Sequence, residues 1–252
     1  MCRMKSAIIL KDRIFIPDYD SHSQMLEELG IEDSRANAER LFVRAELIPT
    51  NNDVFTPIDT WSFNVDQDIL PDWFVKEVDK ERMVKAVSEW AKDRIHIGVD
   101  NLRIDSGRNH YIKDCKDVTI CGSASISKVY GSASIRKVCD SASISEVCDS
   151  ASISKVYGSA SISYVCDSAS ISEVCDSASI SYVYGSASIR KVCDSASISF
   201  VRDSAMIASS PYGWANKDKV ILSNNATFKD NQAKIIYQAG DWELRLVGKE
   251  AK

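Results

Sequence analysis

One nine-residue phrase, written nine times without a gap over residues 122–202, constrains this chain more than any other feature. It opens as Gly122-Ser-Ala-Ser-Ile126-Ser-Lys-Val129-Tyr130, and a tenth copy starts at Asp203 and breaks up at Met206. Each copy reads Gly/Asp-Ser-Ala-Ser-Ile-x-x-Val-x. A fixed short period marks a solenoid, whose units bury their apolar side only against neighbouring units. Ala at position 3 and Ile at position 5 alternate with Ser, the period of a strand with one buried face. Val at position 8 falls out of that period, so the backbone must bend to return it to the core. Gly or Asp at position 1 suits a left-handed corner. The unit is a short strand plus a corner, and the region reads as a parallel β-solenoid.

Two coil lengths compete. By identity the chain repeats every 27 residues, with Tyr130, Tyr157 and Tyr184 matching and each followed by Gly. Three units per coil would stack Glu146 on Glu173 and Lys128 on Lys155, and like charges facing across a ladder repel. Two units per coil, an 18-residue turn, sort position 7 into two columns. One reads Lys128, Glu146, Tyr164, Tyr182, Phe200; the other reads Lys137, Lys155, Glu173, Lys191. The shorter coil is therefore preferred, with three per coil as the alternative, and the 27-residue identity becomes a trace of duplication.

The flanks read differently. Residues 1–96 form a small α+β domain. It has two short strands around Lys11-Asp12, a helix over 21–30, strands near 40–48 and 61–65, and a helix capped by Asp79 running to about Arg94. Residues 97–209 hold the all-β parallel solenoid, whose first irregular coils come from 95–121 and cover its open edge. Residues 210–252 supply four short strands as a β-rich C-terminal cap.

Net charge is −5, and the array is neutral, with seven Lys/Arg against seven Asp/Glu. No basic stripe suited to nucleic acid is present. The N-terminal apolar run is too short for a signal peptide or membrane span, so a cytoplasmic protein with no membrane partner is expected. Of eight cysteines, six occupy position 9 or its edge: Cys121, Cys139, Cys148, Cys166, Cys175 and Cys193. Ladder spacing argues against disulfides and their spread argues against a metal site, so reduced corner residues are expected.

No chemistry-bearing motif emerges. His22, His96 and His110 fit no metal or nucleophile-base spacing, and no phosphate loop, dinucleotide fingerprint or nucleophile elbow exists. The nonapeptide period suggests calcium-binding repeats, but the glycines that would wrap an ion are missing. Serine rows suggest ice binding, but charges interrupt them. No catalytic residue, metal or cofactor is expected. What remains is surface: Tyr164, Tyr182 and Phe200, flanked by Tyr130 and Tyr184, form a candidate partner-binding strip. Its competing reading is a stack that only stabilises the ladder.

The phrases Tyr-Gly-Ser-Ala-Ser-Ile and Cys-Asp-Ser-Ala-Ser-Ile resemble the nonapeptide arrays of phage and prophage proteins. Lys5-Ser-Ala-Ile-Ile-Leu-Lys-Asp and the stretch from Trp61 to Phe74 are similar to their leader domains. The resemblance implies a bacterial-host cytoplasm and a solenoid, and supplies no catalytic residues. The expected function is a non-enzymatic scaffold that binds a host or phage protein, for example as an inhibitor of host defence, with homodimerisation through the solenoid as one form of association. A virion-associated structural role is the first alternative. The second is an enzyme or small-molecule site near Trp61, Asp66, Asp68 and Trp73.

Overall fold

The computed structural model describes residues 5–240 and a strand at 244–246. The chain divides into two units, Met1–Ile95 and His96–Lys252.

In the first unit, β1 (Lys5–Leu10), β2 (Ile14–Phe15), β3 (Phe42–Ile48) and β4 (Ser62–Val65) form an antiparallel sheet in the order β2-β1-β3-β4. Every residue of β1 is buried, because the sheet is covered on both faces. Ala7 and Ile9 face a cluster with Met83 and Val87 of α3 (Lys76–Lys92). Ile8 and Leu10 face Met25 and Leu26 of α1 (His22–Glu28). A one-turn helix, α2 (Arg35–Ala38), has no apolar stripe in the sequence that would predict it.

The expected start of α3 needs correction. The helix begins three residues before Asp79, and its N-cap is Val75. Asp79 still serves that end from within the first turn, since its carboxylate accepts the Val75 N–H at 2.9 Å. The same carboxylate pairs with Arg82 at 2.6 Å, and Arg82 also donates to the Leu10 carbonyl at 3.0 Å. A buried carboxylate is thereby hydrogen-bonded and charge-paired, which its burial requires.

In the second unit, β5 (Ile95–Ile97), β6 (Arg103–Ile104), β7 (His110–Lys113) and β8 (Val118–Ile120) form the irregular entry coils. The repeats give β9 (Ser125–Tyr130), β10 (Ser134–Val138), β11 (Ser143–Val147), β12 (Ser152–Val156) and β13 (Ser161–Val165). They continue as β14 (Ser170–Val174), β15 (Ser179–Val183), β16 (Ser188–Val192) and β17 (Ser197–Val201). Beyond them lie β18 (Met206–Ser209), β19 (Ile221–Ser223), β20 (Thr227–Asp230), β21 (Ile235–Gln238) and β22 (Leu244–Leu246).

From β5 to β20 successive strands alternate between two nine-stranded sheets. One runs β5-β7-β9-β11-β13-β15-β17-β19-β22 and is here called the aromatic sheet; the other runs β6-β8-β10-β12-β14-β16-β18-β20-β21 and is called the cationic sheet. Each repeat strand pairs in parallel with the strand 18 residues away, as in Ile144↔Ile162 and Ile153↔Ile171. The 18-residue coil is therefore the observed one, and the 27-residue alternative is not. The expected cross-coil charges meet: Lys128 faces Glu146 at 3.5 Å and Lys155 faces Glu173 at 3.7 Å. One like pair, Lys137 on Lys155, persists.

Inside, Ala124, Ile126 and Val129 and their equivalents in every later coil stack in columns that exclude solvent. Each corner residue at position 1 has positive φ, from 52° at Asp194 to 71° at Gly158. Aspartate is tolerated there, and its carboxylate gains a task. Asp140 accepts the Gly122 N–H of the preceding coil at 2.9 Å, and Asp149, Asp176 and Asp203 do likewise for Gly131, Gly158 and Gly185. At Gly122 only glycine fits, because a Cβ would collide with the Asp105 carbonyl oxygen.

At the far end both sheets reverse direction: β21 pairs antiparallel with β20, and β22 with β19. A parallel ladder that ends this way presents a different hydrogen-bonding edge from the one repeated behind it. Behind the cap, Trp214 Nε1 donates to the Ala196 carbonyl at 2.7 Å, and buried Asp230 pairs with Lys217 at 2.8 Å. Burial pushes the Asp230 carboxyl up, but Lys217 and the N–H groups of Ala233 and Gln232 outweigh it and hold the group below its ordinary range.

Candidate interaction face and disulfide corners

The aromatic sheet carries position 7 outward, so residues 18 apart stand over one another. Tyr164 and Tyr182 stack with centroids 5.3 Å apart and planes 14° from parallel; Tyr182 and Phe200 stack at 5.1 Å and 11°. The three rings are 44%, 37% and 37% exposed. The facing planes cover one another and both faces of Tyr182 are occupied, so the stack offers mainly edges and Tyr hydroxyls to solvent. Such a ribbon suits a flat apolar surface better than a sugar ring, which needs a free aromatic face.

Tyr184, on the corner column, meets the Tyr164 ring edge-on at 6.3 Å, and Arg202 lies 4.9 Å over its centroid. Burial pushes the Tyr184 hydroxyl up and nearby Glu146 adds to this, while Arg202 opposes it. Tyr130 lies apart from the stack, under the Lys128 ammonium at 4.9 Å. Four of the five expected residues are thus brought together, and Tyr130 belongs to the charged end of the same sheet.

The opposite face differs. Arg136, Lys137, Lys155, Arg190 and Lys191 line two adjoining grooves that share Glu173. Glu173 is held below the ordinary carboxylate range chiefly by the Lys191 hydrogen bond, which outweighs the opposing effect of burial, with the Lys191 and Lys155 charges adding to it. Arg136 reaches Asp117 at 3.3 Å, and Arg190 donates to the Ser172 hydroxyl at 2.8 Å.

The corners overturn one expectation. The six position-9 cysteines form three disulfides: Cys121–Cys139, Cys148–Cys166 and Cys175–Cys193, each spanning 18 residues. Their Cα separations, 4.6, 4.8 and 4.9 Å, are one strand spacing and lie inside the range a disulfide spans. Ladder spacing is thus no obstacle at a corner, where side-chain rotation brings the sulfurs together. A legible signal existed. When the 27-residue pattern Tyr, Cys, Cys is wound on an 18-residue coil, each corner column reads Cys, Cys, Tyr. Cysteines then fall in adjacent pairs separated by tyrosine, never singly and never in threes. Cys115, in the entry coils, is free and buried, and burial pushes its thiol up.

Side chains of metal-ligating type also meet at these corners. Glu146 with Cys148 and Cys166, and Glu173 with Cys175 and Cys193, bring three ligand atoms within 4.8 Å of one another. With both sulfurs committed to a disulfide, no thiolate ligand remains in either set. In the first unit His22, Glu46 and Asp66 converge likewise. His22 Nδ1 lies 3.3 Å from Asp66, and Nε2 lies 3.3 Å from the Ala45 carbonyl. This is the one element of the expected N-terminal site that meets a partner of catalytic type. Trp61 is buried with Nε1 donating to Thr56, Trp73 Nε1 donates to the Arg40 carbonyl at 2.8 Å, and Asp68 is exposed.

Among the described residues, no helix is long and apolar enough to cross a membrane. No family model, curated protein or solved structure matches the chain.

Proposed function

We propose that the solenoid is a non-enzymatic scaffold that binds a protein partner across the aromatic sheet. The supporting observation is the Tyr164–Tyr182–Phe200 stack, which stays more than one-third exposed while every inward residue of the same strands is buried. Aromatic edges on a rigid, flat sheet provide contact area with little side-chain entropy left to lose on binding. Lys128 and Glu146, on the same column, give the strip a polar end that fixes orientation. In the phage-type setting that the repeat phrases suggest, the partner is a host protein and binding inhibits it, as an anti-defence protein would.

The test is affinity capture from bacterial lysate with the wild type and with Tyr164→Ser plus Tyr182→Ser, beside light scattering. Expected is one stoichiometric protein that the double variant no longer captures, with its circular dichroism unchanged. Capture that survives the double variant would overturn the role of the strip. A wild-type homodimer that the variant dissociates would make a second copy of the chain the partner.

A further inference from the structure

The three disulfides are unequally accessible, and the difference singles out one of them. Cys121, Cys139, Cys148 and Cys166 are only 2–3% exposed, and Cys193 is 7% exposed. Cys175 alone is half-buried, and it lines an open groove of about 480 Å³ on the cationic sheet. Arg136, Lys137, Lys155, Glu173 and Tyr157 line the same groove.

We propose that Cys175–Cys193 is a thiol–disulfide exchange site that takes an anionic thiol through this groove. The reactive species is a thiolate, and cations at the mouth of a cleft raise the local concentration of an anion. The nearby Glu173 carboxylate, within 4.8 Å of both sulfurs, opposes its approach, and Lys155 and Lys191 offset that charge. The incoming thiolate attacks Cys175 Sγ and forms a mixed disulfide there. The Cys175–Cys193 bond breaks, and its electron pair leaves on Cys193, which takes a proton from water. A second thiol, as thiolate, attacks the external sulfur of the mixed disulfide. The small-molecule disulfide departs, and Cys175 is released as a thiolate that is then protonated. Two thiols have been oxidised and one protein disulfide reduced. The site lies on the opposite sheet from the aromatic stack and does not depend on the partner-binding reading.

The full-length oxidised protein would be exposed, under native conditions, to glutathione or to the neutral thiol 2-mercaptoethanol. Timed samples are quenched by alkylation and each cysteine is followed by peptide mass spectrometry. With glutathione, Cys175 and Cys193 should be labelled about tenfold faster than the other two pairs. Lys137→Gln plus Lys155→Gln should slow that glutathione reaction severalfold and the 2-mercaptoethanol reaction less, because the attacking thiolate of glutathione carries a net charge of about −2 and that of 2-mercaptoethanol about −1. Glu173→Gln should speed it. Reduction of all three pairs at one common rate would overturn the proposal, as would a glutathione rate indifferent to the lysines. A native protein carrying all eight cysteines as thiols would overturn it as well.

Discussion

The two sheets of the solenoid are identical inside and different outside. Both bury the same Ala, Ile and Val columns. Outward, one presents Tyr164, Tyr182 and Phe200, and the other presents four lysine and arginine side chains around Glu173 and Lys155. The contrast teaches that inward positions specify the coil and outward positions are free to specialise. In the first unit no such division exists. There each contact is made once, as with Asp79, Arg82 and the Leu10 carbonyl.

The largest expected effect is removal of the staples. Each disulfide closes an 18-residue loop and should contribute about 3 kcal/mol by restricting the unfolded chain. The three loops do not overlap, so their contributions should be close to additive. Full reduction should therefore lower the thermal midpoint of the array far more than any point change, as scanning calorimetry with and without reductant would show. Two of the bonds join strand ends of the cationic sheet and one joins those of the aromatic sheet. Cys148→Ser with Cys166→Ser should thus loosen only the aromatic side, visible as faster amide exchange near β11 and β13.

Next in size is the shared interior. Ile162→Ala on the aromatic sheet and Ile171→Ala on the cationic sheet should each cost about 2–5 kcal/mol. Near-equality of the two in denaturant unfolding would support an equivalent core, and a large difference would break it. Smaller still is Tyr182→Ser, which removes the middle ring of the stack. It should cost about 1 kcal/mol of stability, since its faces meet Tyr164 and Phe200 but its edge is in water.

The smallest effect concerns pH, and among the position-7 residues it falls on Glu173 of the cationic sheet. Glu173 has a lowered folded-state pKa, so its bridge to Lys191 contributes fully above the ordinary Glu value and is lost as pH falls through the folded value. A slight drop in thermal midpoint below about pH 4 is expected from this bridge, and Glu173→Gln should remove its share of the acid dependence. The Glu173 side chain is 25% exposed, so partial solvent screening keeps the effect small.

Much of this was legible in the sequence for a physical reason. The nonapeptide exposes its geometry wherever charges must choose neighbours, and Lys128, Glu146, Lys155 and Glu173 chose the 18-residue coil. The stack of Tyr164, Tyr182 and Phe200 followed from the same column. Asp140 and its equivalents were read as turn residues, but their hydrogen bonds to the preceding coil depend on corner geometry that no local pattern reveals. The disulfides escape a reading from ladder spacing because that spacing is a Cα distance, which side-chain rotation at a corner closes. The reversals at β21 and β22 depend on tertiary pairing and left no periodic trace.

The mismatch between a 27-residue unit of identity and an 18-residue coil has a consequence for how such a gene can lengthen. Adding one 27-residue unit inserts one and a half coils, so everything downstream changes sides and the cap must attach to the opposite sheets. Adding two such units inserts whole coils, and the cap returns to its own sheets. The cysteine pattern survives either event, because it travels with the unit. Viable length variants should therefore differ by pairs of units, growing the rod by three coils, about 14 Å, at each step.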